Sequence, residues 1–547
     1  MTHTDEFDLD LDVDVVIYGT GLCQSIIAAA CARHGRSVAH FDAEASYGAR
    51  FGSLRASADP ARAFDAPAGA AARTFGAGVD ASTGRLTSTG RAALGGAHAR
   101  YCVDIASPRA VLGADEFVEC IVRSTAHKYV EFKAVEKTYV MHDGVAEPMA
   151  SDRSDVFKDT GMSGGEKRAL MRFLKLARAE AMKDGAQRRR SGRNGEETHV
   201  AVGAPGSEWG LDGASAATHD GLDVGGERDG IRVEPNETMD ALLIRHGLSA
   251  KLRAGVTYAL ALQTHIDCDA ASAMEDLKVY ILSVAKYGPQ TGACLIPVYG
   301  AGDIPQAFCR VAAVEGATYV LRQSLREVDT NAERASSVVT AGGQDIQAKF
   351  IFMPAPARPN GAISVHAVCV LDASLAPEYS QILVVFPPGT VRKDGRVAIR
   401  ALQIGSHTGC CPDGKFILYV SHVIAAGENQ SDPYGDLRQI LRALVKHSEG
   451  DDNNSEDDVP SAFGPSANKP TAIWGMMYTQ PCGSAADVDA LKAPANVSYC
   501  VDYPDASATY RGAMHAAQEA YAKIFDDEMF PEVDVPETPP SDDEAAA

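Results

Sequence analysis

The spacing of hydrophobic residues along this chain changes period several times, and each change marks an element. Val13–Tyr18 is a β-branched run interrupted only by Asp14, and it leads into Gly19-Thr20-Gly21. Helical spacing follows over Leu22–Arg33, where Ile26, Ile27, Ala29 and Ala30 share the side that can face a sheet. After Gly35, Ser37–Phe41 reads as a second strand ending at Asp42. Strand, glycine turn, helix, strand in about 30 residues is the opening of a dinucleotide-binding, Rossmann-type α/β fold.

Farther on, Val130–Ala134 and Thr138–His142 read as a pair of strands. Ser163-Gly-Gly-Glu166 fits a capping box ahead of Leu170, Phe173, Leu174, Ala177 and Ala181, which recur at helical spacing. The helical pattern resumes over Met239–His246, Leu248–Gln263 and Ala273–Tyr287, and Gly288-Pro289 stops it. Cys294–Tyr299 is then a strand, Gly300 to Pro305 a turn that opens another helix, Leu383–Ile424 a set of short strands, and Tyr510–Ile524 a last helix. These patterns predict an α/β, FAD/NAD(P)-binding-like domain built discontinuously from 1–150 and 291–525, with a smaller α-helical domain over 151–290. The Ala-, Gly- and Arg-rich stretches near 53–96 and 184–235, the stretch 449–467 and the acidic tail 526–547 are expected to be disordered.

Length agrees with two domains, since 547 residues exceed what one core usually serves. Asp and Glu number 73 against 51 Lys and Arg, a formal charge of −22, so the chain should repel a phosphate backbone and nucleic acid is not expected as a partner. Much of that charge sits in Glu449–Asp458, six acids in ten, and in Asp526–Ala547, nine acids without Lys or Arg. Twelve cysteines without a C-x-x-C pair and an acidic, not basic, N-terminal stretch point to free thiols in the cytosol. No apolar run reaches the 18 or so residues of a membrane span, so membrane contact should be peripheral.

Candidate chemistry is sparse. Gly19 and Gly21 take the first two glycine positions of a cofactor loop and Asp42 the place of the ribose-binding acid, but the third glycine position is Gln24. The residues leave two readings open, a fold retained without its nucleotide and a working FAD or NAD site. No nucleophile elbow, metalloprotease motif or P-loop is present, and His407, Cys410 and Cys411 lack a second half with metal-ligand spacing. Neither a catalytic set nor a metal set is expected.

Asp12–Gly48, Lys128–Gly144, Ser151–Lys175 and Ala285–Ser324 together resemble, in this order, blocks of the Rab GDP-dissociation inhibitor and Rab escort protein superfamily. Ser25-Ile-Ile-Ala-Ala-Ala-Cys31, Ser151-Asp-Arg-Ser-Asp-Val-Phe157, the long insertions and the final helix with its acidic end are more similar to the escort branch. That resemblance implies no bound flavin and an accessory, non-catalytic component of Rab geranylgeranyltransferase. Such a component binds GDP-form Rab GTPases, presents them to the catalytic heterodimer and carries the prenylated product to membranes. It further implies a Rab-binding platform of Tyr47, Asp303, Gln306, Arg310 and Val320, in which Asp303 stands for the family's Glu and Gly48-Ala49 for its glycine pair. Read without the resemblance, Asp303 is a helix-cap candidate, Arg310 a residue for an internal ion pair, and Tyr47 packing for its own loop. The prenyl group would lie in the helical domain, where Leu170, Phe173, Leu174, Ile281 and Leu282 suit either a lipid site or plain core. Lys167, Arg168, Arg172 and Lys175 form a basic helix face expected to meet the transferase, with simple solvation as the alternative. A recycling inhibitor and a flavin oxidoreductase are the competing functions.

Overall fold

The computed structural model describes residues 12–531 apart from 58–72, 80–86, 96–99, 151–152, 192–229, 290, 329–336, 357–360, 429–430, 447–460, 465–467, 484–487, 489–490, 502–504 and 506. Strand β1 (Asp12–Tyr18), helix α1 (Leu22–Arg33) and strand β2 (Val38–Asp42) form the opening unit. Strands β3 (Ser53–Ser57) and β4 (Arg73–Phe75) and the short helix α2 (Ser88–Ala93) follow. Next come β5 (Arg100–Asp104), β6 (Val111–Leu112), α3 (Glu116–Arg123), β7 (Phe132–Ala134), β8 (Lys137–His142) and β9 (Val145–Pro148).

The helical layer consists of α4 (Arg153–Lys158), α5 (Gly164–Ser191), α6 (Met239–Arg245), α7 (Ala250–Ala254), which continues as a π-turn over Gly255–Leu260, and α8 (Ala270–Ser283). The chain then returns through β10 (Cys294–Pro297), α9 (Asp303–Val314), β11 (Thr318–Leu321), β12 (Leu325–Val328), β13 (Ser337–Thr340) and β14 (Asp345–Pro354). It closes with β15 (Ile363–Leu371), β16 (Ile382–Phe386), β17 (Ile399–Gly405), β18 (Phe416–Ile424), α10 (Gly435–Leu444), β19 (Ala472–Pro481), β20 (Val497–Cys500) and α11 (Arg511–Ala522).

β11, β2, β1 and β14 lie side by side and parallel, with β20 parallel on the far side of β14 and β13–β12 completing the sheet antiparallel. β1 is central, so both faces of its second half are covered and Val15, Val16 and Ile17 are all buried. Its α1 is buried from Leu22 to Ala32, and the alanines there let α9 and α11 approach closely.

The second sheet runs β4-β19-β15-β18-β17-β16-β8-β9, antiparallel except where β8 lies parallel to β16. Alternation along β15 sends Val368 and Val370 into a core shared with Leu170, Phe173, Leu242 and Leu277 of the helical layer. Val365, Ala367 and Cys369 face the opposite way, toward Leu437, Ile440 and Leu441 of α10. The capping box forms as read: Glu166 N donates to Ser163 Oγ at 3.2 Å, and Ser163 N donates to Glu166 Oε2 at 2.9 Å.

Charge ties the layers together. Arg400 on β17 is buried and donates through Nη2 to the carbonyls of Leu262 (2.7 Å) and Gln263 (2.6 Å), just beyond the π-turn. Arg511 at the start of α11 reaches Asp115, the N-cap of α3, at 2.8 Å and Asp276 of α8 at 2.6 Å.

Several expectations change. Val130–Ala134 and Thr138–His142 are not partners: β7 pairs with β10 and β8 with β16 and β9, because Val135-Glu136 between them has no turn-forming residue and Val135 is buried. The stretch near 53–96, expected to be disordered, holds β3 paired with β5, β4 paired with β19, and α2, whose Thr87 side chain caps Gly90 N. α5 continues past Asp184 to Ser191, carried by Ala, Gln and Arg, which favour helix. Within 449–467, Ser461 and Ala462 are buried, and Ala146 N donates to the Ala462 carbonyl. The acidic tail begins as packed chain: Asp527 pairs with Arg36 at 2.5 Å, Glu528 with Arg123 at 2.7 Å, and Phe530 stacks near Phe308. Two arginines and an apolar Met-Phe pair outweigh the acids there. Residues 192–229, 447–460 and 532–547 lie outside the described residues.

Candidate functional site

The glycine turn after β1 comes first in the chain and underlies the loop that carries Tyr47. Gly19 has φ +86, a left-handed angle that suits glycine. Gln24, buried on α1, folds toward it, and a Cβ on Gly19 would meet Gln24 Nε2 at 3.7 Å. Asp42 is buried and used internally: its Oδ2 accepts from Thr20 N and Oγ1, both at 2.6 Å, and its Oδ1 accepts from Glu44 N at 2.8 Å. Gly21 starts α1 without a side-chain cap. A dinucleotide fold implies a flavin or nicotinamide here, but these residues do not fit one, since Gln24 fills the packing space and Asp42 has its oxygens engaged by Thr20 of the glycine turn and by Glu44.

The turn has a different use. Thr20 Oγ1 and the Thr20 carbonyl both accept from Gly48 N, at 3.0 and 3.1 Å, so the turn holds the backbone next to Tyr47. Gly48 has φ +102 and Ala49 φ +43, an angle unfavourable for alanine where the family resemblance placed a second glycine. Tyr47 is half-buried, its ring edge-on to Tyr319 at 5.6 Å, and burial raises its phenol pKa. Beneath Tyr319 lies His40 at 4.8 Å, whose Nε2 is 2.6 Å from the Gly19 carbonyl. Burial pushes the His40 pKa down to about 4, so the neutral ring donates to that carbonyl.

Ser46, Tyr47, Ser53, Leu54, Tyr299, Gly302, Asp303 and Gln306 surround an open cleft of about 320 Å³. Tyr47, Asp303 and Gln306 therefore line one cleft. Asp303 opens α9 as a first-turn acid at the positive end of the helix, and Gly302 holds the cap position. Arg310 lies two turns along the same helix, outside the cleft, with its guanidinium 5.9 Å from the exposed Tyr129 ring in place of an acid. Val320 is not brought to the cleft. Strand alternation puts its neighbour Tyr319 on the α1 side and turns Val320 to the opposite face of the sheet, against the cluster of Val13, Val16 and Phe41.

Sequence reading missed Ser53 and Tyr299 in the cleft. Ser53 falls in the stretch expected to be disordered, and the only signal for Tyr299 was its position ahead of Gly300-Ala-Gly302. Leu170, Phe173, Leu174 and Ile281 are buried core, with Leu282 half-buried behind them. Among the described residues no three His, Cys, Asp or Glu side chains converge as metal ligands, His407, Cys410 and Cys411 included, and no helix is long and apolar enough to cross a membrane.

Comparison with known proteins adds a second line of argument. "Rab escort protein 1" of Arabidopsis thaliana is 26% identical, over 95% of this chain and 94% of its own. "Rab proteins geranylgeranyltransferase component A" of Drosophila melanogaster is 26% identical over 91% and 90%. The crystal structure of Rab GDI from Plasmodium falciparum superposes with a TM-score of 0.62 at 16% identity, covering 94% of this chain and 98% of that one, which shows a shared fold. A family model described as GDP dissociation inhibitor matches residues 85–186 and 218–449, more than half of the chain, taking in the second sheet except β4 and β19, most of the helical layer and the α9 side of the cleft. By that match, the chain belongs to the GDP dissociation inhibitor family.

Proposed function

We propose that this protein is a Rab escort protein, the accessory component of Rab geranylgeranyltransferase. In this reading it binds GDP-form Rab GTPases through the Tyr47–Asp303–Gln306 cleft, presents them to the catalytic heterodimer and delivers the prenylated product from cytosol to membrane. The observation that carries the reading is the cleft itself: a tyrosine whose loop is held by a turn that no longer suits a dinucleotide, facing two polar residues of α9, in a chain whose near-full-length relatives are named Rab escort protein and Rab geranylgeranyltransferase component A. The bond-making chemistry belongs to the partner. On α5, Arg168, Arg172 and Lys175 are exposed, and Lys167 donates to the carbonyl of Phe157, itself 63% exposed; this face is the transferase-facing surface of the proposal.

Tyr47→Ala should weaken binding of a GDP-loaded Rab by about 1–3 kcal/mol, the range of interface hot spots, when titrated by calorimetry. Its melting temperature should fall little, because the ring is only partly buried and lines an open cleft. Retained binding with a large drop in melting temperature would assign Tyr47 to packing against Tyr319 and remove it from the platform. The purified protein should also be colourless. A stoichiometric flavin band near about 450 nm would favour the oxidoreductase reading instead.

A further inference from the structure

The turn that displays the cleft residues is held from below by a single buried carboxylate. Asp104, at the end of β5, is 6% exposed. Its Oδ1 accepts from Ser53 Oγ at 2.6 Å and from Ala301 N at 2.8 Å, and Ser53 Oγ in turn accepts from Gly302 N at 2.7 Å. The same turn is pinned on its other side, where Tyr299 N donates to the Thr408 carbonyl at 2.7 Å and Cys102 Sγ donates to the Tyr299 carbonyl at 2.8 Å. The seat is tight. A Cβ on Gly300 would lie 2.6 Å from Ser53 Oγ and 2.8 Å from Asp104 Oδ1, and one on Gly302 would lie 2.5 Å from Ser53 N. Tyr299 itself takes φ +66, which a non-glycine residue adopts only where its surroundings impose it, and its ring remains 54% exposed in the cleft.

We propose that Asp104, acting through Ser53, is the positioning residue of the partner-binding cleft, and that ionised Asp104 holds the turn for the GTPase while protonated Asp104 loosens it. The inference rests on the Rab-binding reading above and adds a proton-linked control to the same site.

The groups acting on Asp104 explain why its protonation is within reach. Asp303 faces it from α9, Tyr419 and Tyr478 from the second sheet, Tyr510 from the segment before α11, and the Cys102 and Cys410 thiols from β5 and the loop before β18. None of these described groups is a cation. Burial raises the Asp104 pKa to about 6 despite the bonds from Ser53 and Ala301, and Asp303 pushes it the same way. The sign for folding is therefore opposite to the sign for the cleft. A carboxyl whose folded pKa is raised favours the fold most at acid pH, and that contribution is lost as pH rises through about 6. Hydrogen bonds to the ionised form are stronger, so the turn is best ordered at neutral pH, where the fold gains least from this group.

Two measurements test this. In the protein alone, amide exchange at Ala301 and Gly302, corrected for intrinsic rates, should become faster relative to neighbouring amides between pH 7.5 and 5.5, and Asp104→Asn should remove that dependence. In complex with GDP-loaded Rab, wild-type affinity should fall roughly three- to tenfold over the same range relative to Asp104→Asn, the size of one charge-assisted hydrogen bond. Ser53→Ala, milder for folding, should weaken binding by several-fold at pH 7.5, and Asp303→Asn should lower affinity without flattening the profile. Equal pH profiles for wild type and Asp104→Asn, or protected Ala301 and Gly302 amides in Ser53→Ala, would overturn the proposal. If no Rab binds at any pH, the functional reading fails and the exchange measurement alone decides the role of Asp104.

Discussion

Transfer of a geranylgeranyl group to an unmodified Rab by the catalytic heterodimer should depend on adding this chain, rising roughly tenfold or more above the reaction without it. The physical reason is effective concentration: a scaffold that holds the GTPase and also docks on the transferase turns a bimolecular encounter into a local one. The cleft and the α5 face lie on different parts of the fold, which such bridging requires. The assay uses labelled geranylgeranyl diphosphate, an unmodified Rab and the heterodimer, with and without this protein. An escort protein must bind the unprenylated Rab, whereas a recycling inhibitor chiefly recognises the finished conjugate. No stimulation, together with extraction of prenylated Rab from membranes, would move the chain to the inhibitor class. Phe157→Ala should reduce the stimulation while leaving Rab binding intact, because the exposed ring lies on the α5 side, away from the cleft.

The largest effect on stability should come from Arg511→Met. Asp115 keeps only 1% of its side chain exposed, and it is both the N-cap of α3, accepting from Phe117 N at 2.9 Å, and the main partner of Arg511. Removing the guanidinium leaves a buried carboxylate without its counter-charge and also frees Asp276 on α8, so the loss should reach about 3–5 kcal/mol. Urea unfolding measures it as a lower midpoint with an unchanged slope. Adding Asp115→Asn should recover part of the loss, since asparagine still caps the helix while the stranded charge disappears. A loss below about 1 kcal/mol would mean that water replaces the guanidinium and that the joint between the layers is loose.

What the sequence revealed of this fold tracked the range of the interactions involved. β1, α1 and β2 were legible because a β-branched run, a glycine turn and an alanine-rich helix act over a few residues. So was the Ser163–Glu166 box, whose two partners stand three apart. Tyr47, Asp303 and Gln306 were placed through the resemblance, and geometry brought them together. Val320 lies off the cleft on strand parity alone, since one position along β11 changes the face. Ser53 and Asp104 were not legible as a unit: 51 positions separate them in the chain, Ala301 lies nearly 200 further on, and no local pattern marks residues that meet only when β3, β5 and α9 come together. The packed start of the acidic tail was hidden for a related reason, since composition counts the acids but not Arg36, between α1 and β2, and Arg123 on α3, which receive them.

The order of strands in the first sheet has a consequence for synthesis of the protein. β1 leaves the ribosome well ahead of its partner: β14, which pairs with its free edge, is more than 300 residues behind it, and β20, which covers β14, lies close to residue 500. At about 5–20 residues per second, roughly 17–67 s pass between the appearance of β1 and of β14. Through that interval an apolar, β-branched strand has an unpaired edge, the kind of surface that recruits other chains. Slow closure of such distant contacts makes the newborn chain dependent on chaperone cover until β14 and then β20 have emerged. Substitutions that leave the finished fold unharmed but make the edge of β1 more adhesive should therefore act on yield, not on activity.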